Sequence, residues 1–240
     1  MQLALLEQLN AERAARRGCI LITDVTTGAQ RLVREADPWA DDPLHEELDR
    51  RFRSGKSGMI EDAADNRLFL GVEVPPPRIL VIGAVHISQA LAPIAAIAGF
   101  DVTIIDPRTA FATPERFPGT PLFAQWPDEV LGAEVTLDRY TALVAVTHDP
   151  KIDDFPLKSA LEADCFYVGA LGSRKTHATR VERLKDGLSS EQIDRIHAPI
   201  GLDIGAASPA EIAVAVMAQI IEDLRKSGRA SAGVAREAAA

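Results

Sequence analysis

The stretch RILVIGAVHISQALAPIAAIAGFDVTIID (78–106) decides the fold. It joins an almost wholly apolar run at 78–83, a helical pattern over 86–98 and a second apolar run at 101–106, which together make a strand-helix-strand unit. Strands that are apolar on both faces and alternate with helices belong to a parallel sheet covered on both sides. Pro93 falls inside the helical pattern and predicts a kink, while Gly99 stands where a left-handed carboxyl-terminal cap is wanted.

The alternation continues down the chain. TALVAVTH (141–148) precedes a helix expected over 154–163, and CFYVGALG (165–172) precedes one expected over 173–185. The reading is an α/β fold with a Rossmann-like, doubly wound, mainly parallel sheet. A last long helix opens at Ser208-Pro209-Ala210-Glu211, with Ser as N-cap, Pro at the first helical position and Glu three residues on.

Upstream, Pro75-Pro76-Pro77 withholds three backbone donors and imposes an extended conformation, so a domain boundary is placed there. Residues 1–74 read as a small α+β unit: a helix over 3–16, strands at 19–26 and 30–35 around Thr27-Gly28, a helix over 43–53, and strands at 59–61 and 68–74. Residues 75–226 form the Rossmann-like domain. The tail 227–240 lacks an apolar stripe and is expected to be disordered.

A chain of 240 residues buries a substantial core without disulfides or metals. The net charge of −9 argues against general binding to nucleic acid or an anionic membrane, because neutralising phosphates takes a concentrated basic surface. Residues 1–18 alternate apolar and charged positions and no run reaches membrane-spanning length, so a cytoplasmic protein is expected. Cys19 and Cys165 lie in apolar runs with no C-x-x-C partner and read as buried free thiols.

The chemistry is expected on the loops at the carboxyl ends of the strands. Gly83-Ala84-Val85-His86 occupies the place of a phosphate-binding turn, and Asp106 and Arg108 follow the next strand, where an acid takes ribose hydroxyls and an arginine takes phosphate. Val85 stands where a dinucleotide turn has its second glycine, which obstructs ordinary NAD(P) seating. His148 and Asp149 follow a third strand, and their adjacency points them apart if the strand includes them. Gly169, Ala170, Gly172, Ser173, Arg174 and His177 follow a fourth, with Lys175 and Arg180 adding positive charge beside a helix start. Gly201, Asp203 and Gly205 form a glycine-interrupted loop that permits close approach to a flat or phosphorylated ligand. No Ser-His-Asp order, H-E-x-x-H or metal-spaced cluster is present, so neither a hydrolytic nor a metal site is expected.

Four blocks, PPPRILVIGAVHISQALAPIAAIAGFDVTIIDPRTAFATPERFPG (75–119), TALVAVTHDPKIDD (141–154), YVGALGSRKTHATRVERL (167–184) and PIGLDIGAASPAEIAVAVMAQI (199–220), together resemble the XdhC/CoxI family of accessory factors for xanthine dehydrogenase and related molybdenum hydroxylases. The resemblance implies binding of the molybdenum cofactor, as molybdopterin or its nucleotide form. It also implies protection of that cofactor while a cysteine desulfurase installs its terminal sulfur, and delivery to a molybdenum hydroxylase such as xanthine dehydrogenase.

The resemblance further implies that the loop residues above line the cofactor cleft. The family's glycine- and cysteine-containing amino-terminal segment is not recognisable here, implying a shortened first unit and arguing against a role for Cys19. The alternative reading is an NAD(P)-dependent oxidoreductase. A homodimer is the default expectation for such a chain.

Overall fold

A computed structural model describes residues 3–226, so the tail expected to be disordered lies outside the described residues. The chain divides between Pro76 and Pro77 into two compact units.

The first unit contains α1 (Leu3–Ala14), β1 (Cys19–Asp24), β2 (Gln30–Arg34), α2 (His45–Ser54), β3 (Gly58–Glu61) and β4 (Arg67–Glu73). Its strands pair antiparallel in the order β2-β1-β4-β3. Asp24 sets the β1–β2 turn by accepting the amides of Thr26 and Thr27. Alternation turns Ile20, Ile22, Leu70 and Val72 to one face, where they pack on Leu48 and Phe52 of α2. Each such buried side chain contributes about 1.5–3 kcal/mol. Glu12 on α1 is buried but paired, with Arg17 and Arg34 both donating to its carboxylate.

The second unit runs β5 (Arg78–Ile82), α3 (His86–Ile97), β6 (Asp101–Ile105), β7 (Leu122–Phe123), α4 (Pro127–Val130), β8 (Thr141–Ala145), α5 (Pro150–Glu162), β9 (Tyr167–Ala170), α6 (Arg174–Leu184), α7 (Ser190–Ile193), β10 (Ile196–His197) and α8 (Pro209–Lys226). All six strands are parallel, in the order β10-β9-β8-β5-β6-β7. Counted from β5, that is the 3-2-1-4-5-6 order of a Rossmann sheet.

Because β5–β6 and β8–β9 step in opposite directions and such crossovers are right-handed, α3 and α5 cover opposite faces. Leu80, Ile82, Leu143 and Ala145 pack with Leu157 and Leu161 of α5, while α8 packs on α3.

The interior differs from the sequence reading in three places. The helix after β8 begins at Pro150 rather than 154, because Asp149 caps it by accepting the Lys151 amide at 3.0 Å and Pro150 suits the first helical position. β8 ends at Ala145, so His148 and Asp149 lie on a loop and a cap, not on a strand that would point them apart. β7, α4, α7 and β10 carry no periodic signal in the sequence, since each is only two to four residues long. The Ser208 box is present: Glu211 Oε2 accepts the Ser208 amide at 2.9 Å and Ser208 Oγ accepts the Glu211 amide at 3.2 Å. Gly99 is left-handed just past α3, and α3 is a single helix across Pro93.

Candidate functional site

β5 and β8 lie side by side, and the chain leaves them in opposite directions. Their carboxyl ends therefore border the crevice in which ligands of open α/β sheets bind. Gly83, at φ 119°, closes the base of that crevice, and a Cβ there would lie 2.8 Å from Thr147 Cγ2. The loops after the two strands thus touch through a position that admits only glycine.

Asp106, at the end of β6, is fully buried. Its Oδ2 accepts the Ala84 amide and Arg108 Nη2, both at 2.7 Å, and its Oδ1 accepts the Arg108 amide and Nε, both at 2.9 Å. Burial pushes its carboxyl up, but the hydrogen bonds from Arg108 and Ala84 outweigh it and hold the carboxyl below its ordinary value. Asp106 therefore fixes the Ala84 loop and orients Arg108, and it offers no free oxygen to a ribose. Arg108 stays part-exposed and lies over the Phe111 ring, 4.8 Å from its centroid. Arg116 holds the same loop from the other side by donating to Ala84 O, Phe111 O and Gln89 Oε1.

Three helices begin on this edge, and their starts differ. Asp149 caps α5 and Ser173 caps α6, whose Oγ accepts the Thr176 amide at 3.2 Å. Val85, the extended N-cap of α3, contributes no side-chain hydrogen bond. The positive end of α3 is thus the one left for an exogenous anion. His86 on its first turn is exposed, as is His148 across the crevice, which adopts φ 65°, an uncommon conformation for a non-glycine residue.

Behind His148 lies a buried polar cluster. Asp153 accepts Thr147 Oγ1 at 2.7 Å and the His148 amide at 3.1 Å, which fixes the left-handed turn. Desolvation pushes its carboxyl up to about 6 despite these bonds and the positive charge of Arg180. Arg180, 2 % exposed, donates from Nη2 to Leu171 O at 2.9 Å, but its Nε and Nη1 have no partner. Asp153 and Arg180 line a cavity of about 260 Å³ together with Lys175, Thr176, Thr179 and Arg183. Arg174 is exposed at the start of α6. His177 does not line the cavity, and burial beside Arg180 lowers its pKa.

Gly169 and Ala170 are buried within β9, where a Cβ on Gly169 would lie 2.6 Å from Tyr167 Oη and 2.7 Å from Ile200. Gly201 packs tightly on α8, whereas Asp203 and Gly205 are exposed. Gln219 Oε1 ties the loop down by accepting both Tyr167 Oη at 2.7 Å and the Gly201 amide at 2.8 Å. His197 stacks on Tyr167 and bonds Asp223 at 2.8 Å.

Sequence reading passed over Asp153, Arg116 and Gln219. The only signal among them was Asp153, an acid on the buried stripe of α5. The uncapped α3 start and the part-exposed Arg108 guanidinium are suited to an anion. Both cysteines are fully buried, and desolvation raises the Cys19 thiol to about 11 and the Cys165 thiol to about 12. Among the described residues no cluster of His, Cys, Asp or Glu is placed to hold a metal ion, and no helix is long and apolar enough to cross a membrane.

Strand order and crevice define a Rossmann-type binding domain. Residues 79–220 match the XdhC Rossmann domain family. The chain therefore belongs to the XdhC family. Relatives include an uncharacterised Escherichia coli protein, YqeB, 32 % identical over 72 % of this chain and 32 % of its own length. A Bacillus subtilis protein described as a probable xanthine dehydrogenase component is 33 % identical over 69 % of this chain and 48 % of its own. The Escherichia coli molybdenum cofactor insertion chaperone PaoD is 31 % identical over 61 % and 40 %. The chain thus spans from about a third to about a half of the length of these relatives. The crystal structure of a xanthine dehydrogenase from Bacillus halodurans superposes with a TM-score of 0.65 at 21 % identity, covering 97 % of this chain and 70 % of that one.

Proposed function

We propose that this chain binds the molybdenum cofactor at the crevice between β5 and β8, shelters it during sulfuration and passes it to a molybdenum hydroxylase of the xanthine dehydrogenase type. The observation that carries the reading is the α3 start, uncapped by any side chain and bordered by His86 and His148, in a chain whose relatives include a molybdenum cofactor insertion chaperone. When bound, the cofactor supplies a phosphate group and a flat pterin for this chain to hold, and a molybdenum centre whose redox chemistry belongs to the acceptor enzyme.

The residues fit the anionic part of such a ligand. The α3 amides face a phosphate, Arg108 supplies a guanidinium oriented by Asp106, and the exposed part of the loop at Asp203 and Gly205, beyond the packed Gly201, is left to meet a ring. The exposed imidazoles of His86 and His148 donate to oxygens at the rim. The burial of both thiols supports a reading in which a cysteine desulfurase supplies the sulfur and this chain holds the cofactor. The same strand order is compatible with NAD(P), but the committed oxygens of Asp106 remove the ribose acceptor that such a site uses.

The test is mass spectrometry of the ligand released from the chain purified without added cofactor, with calorimetric titration by molybdopterin species and by NAD(P). A released pterin and molybdopterin binding weakened by Arg108→Ala are expected. A nicotinamide nucleotide in its place overturns the reading.

A further inference from the structure

We infer that the cavity between α5 and α6 is a second anion subsite, which takes a phosphate group against Arg180. It deepens the reading of a phosphate-bearing ligand and rests on that reading only for the identity of the natural ligand.

Arg180 carries the argument. A guanidinium is charged at every accessible pH and presents five donor hydrogens. Here it is 2 % exposed, uses one nitrogen on Leu171 O and leaves Nε and Nη1 without partners. Buried donors of a cation are normally satisfied, so Nε and Nη1, buried and without partners on a residue that lines the cavity, mark the place of an absent acceptor.

The charges around the cavity point to an anion. Arg183 is neutralised by Asp154, to which it donates from Nε at 2.5 Å and Nη2 at 3.0 Å. Asp153 spends its oxygens on Thr147 Oγ1 and the His148 amide. Lys175 is exposed on the rim; Thr176 and Thr179 also line the cavity, with their hydroxyls bonded to Ser173 Oγ and Lys175 O. Two cations therefore face one carboxylate already occupied elsewhere, and phosphate matches both the excess charge and the unpartnered guanidinium nitrogens.

The subsite is distinct from the start of α3. Its cations stand on α6, and the α6 start is already capped by Ser173, so the side chains and not the helix end supply the attraction. His148 joins the two places: it lines this cavity and borders the β5–β8 crevice.

The experiment is titration of the isotopically labelled full chain with inorganic phosphate and, separately, with a nucleoside monophosphate, followed by amide chemical shifts. Phosphate is expected to move the amides of residues 174–180 and His148, and Arg180→Met is expected to weaken that response by about tenfold or more. Thr179→Glu, at an exposed wall position, places a competing carboxylate in the cavity without disturbing the core and is expected to abolish it. Tighter binding of the ester than of free phosphate assigns the group to a larger ligand, and equal binding assigns it to phosphate itself; both support the subsite. Shifts confined to the α3 start, or unchanged in Thr179→Glu, overturn it. Phosphate binding here without any molybdopterin binding would leave the subsite standing and remove the cofactor reading.

Discussion

Asp106 Oδ2 accepts the amide of Ala84 at 2.7 Å, so the end of β6 holds the loop that follows β5. The same carboxylate grips Arg108 through its amide, Nε and Nη2. One buried acid thereby sets both the backbone and the cation of the crevice.

Asp106→Asn removes the charge that Arg108 pairs with and leaves a buried donor poorly matched, and is expected to cost about 2–4 kcal/mol. The folded carboxyl lies below its unfolded value, so its contribution is complete above the ordinary carboxylate range and is lost as pH falls through the folded value. Urea denaturation from neutral to acid pH should show the native chain losing this increment while the variant does not.

Gly83→Ala places a Cβ 2.8 Å from Thr147 Cγ2 at a positive φ, and a loss of about 1–3 kcal/mol is expected. Thr147→Ser removes that methyl and keeps the hydroxyl that Asp153 accepts. In the double variant, thermal denaturation should recover part of the loss, the remainder reflecting the backbone conformation alone.

Asp153 behaves in the opposite sense to Asp106. Its folded pKa, about 6, stands above the unfolded 3.8, so the folded chain holds an extra proton between these values. Stability is expected to fall by up to about 3 kcal/mol as pH rises from about 4 to about 6. Asp153→Asn should flatten that segment of the stability curve; an unchanged slope would show that the carboxyl titrates normally.

Neither cysteine should react with a thiol reagent in the native chain near neutral pH, because both are fully buried and their thiols are raised to about 11 and about 12. Two equivalents should appear on unfolding. Native-state labelling would reopen a role for Cys19 or Cys165 in sulfur handling.

The sheet was legible because its strands are written as uninterrupted apolar runs. ILVI at 79–82 and TALVA at 141–145 are buried along their whole length, and a strand covered on both faces has no other composition. Cap chemistry was legible at Ser208 for a similar reason: the N-cap and its partner are three residues apart and bond to each other. The Asp149-Pro150 cap carried the same kind of signal, but the helical stripe it opens is interrupted by Pro156, which obscured the first turn.

By itself, then, the sequence determined the parallel sheet, the edge on which the loops gather, and which polar residues stand on them, because these follow from periodicity and from local hydrogen bonds. Only the tertiary structure decided what those residues do. Asp106 and Ala84 are 22 positions apart, and nothing local shows that the acid spends its oxygens on the loop. Arg180 read as one more charge near a helix start, and its two open nitrogens emerged only when α6 packed against the Asp153 face of α5. A side chain's free hydrogen-bonding capacity is what remains after every distant neighbour has taken its share, and that remainder exists only in the folded chain.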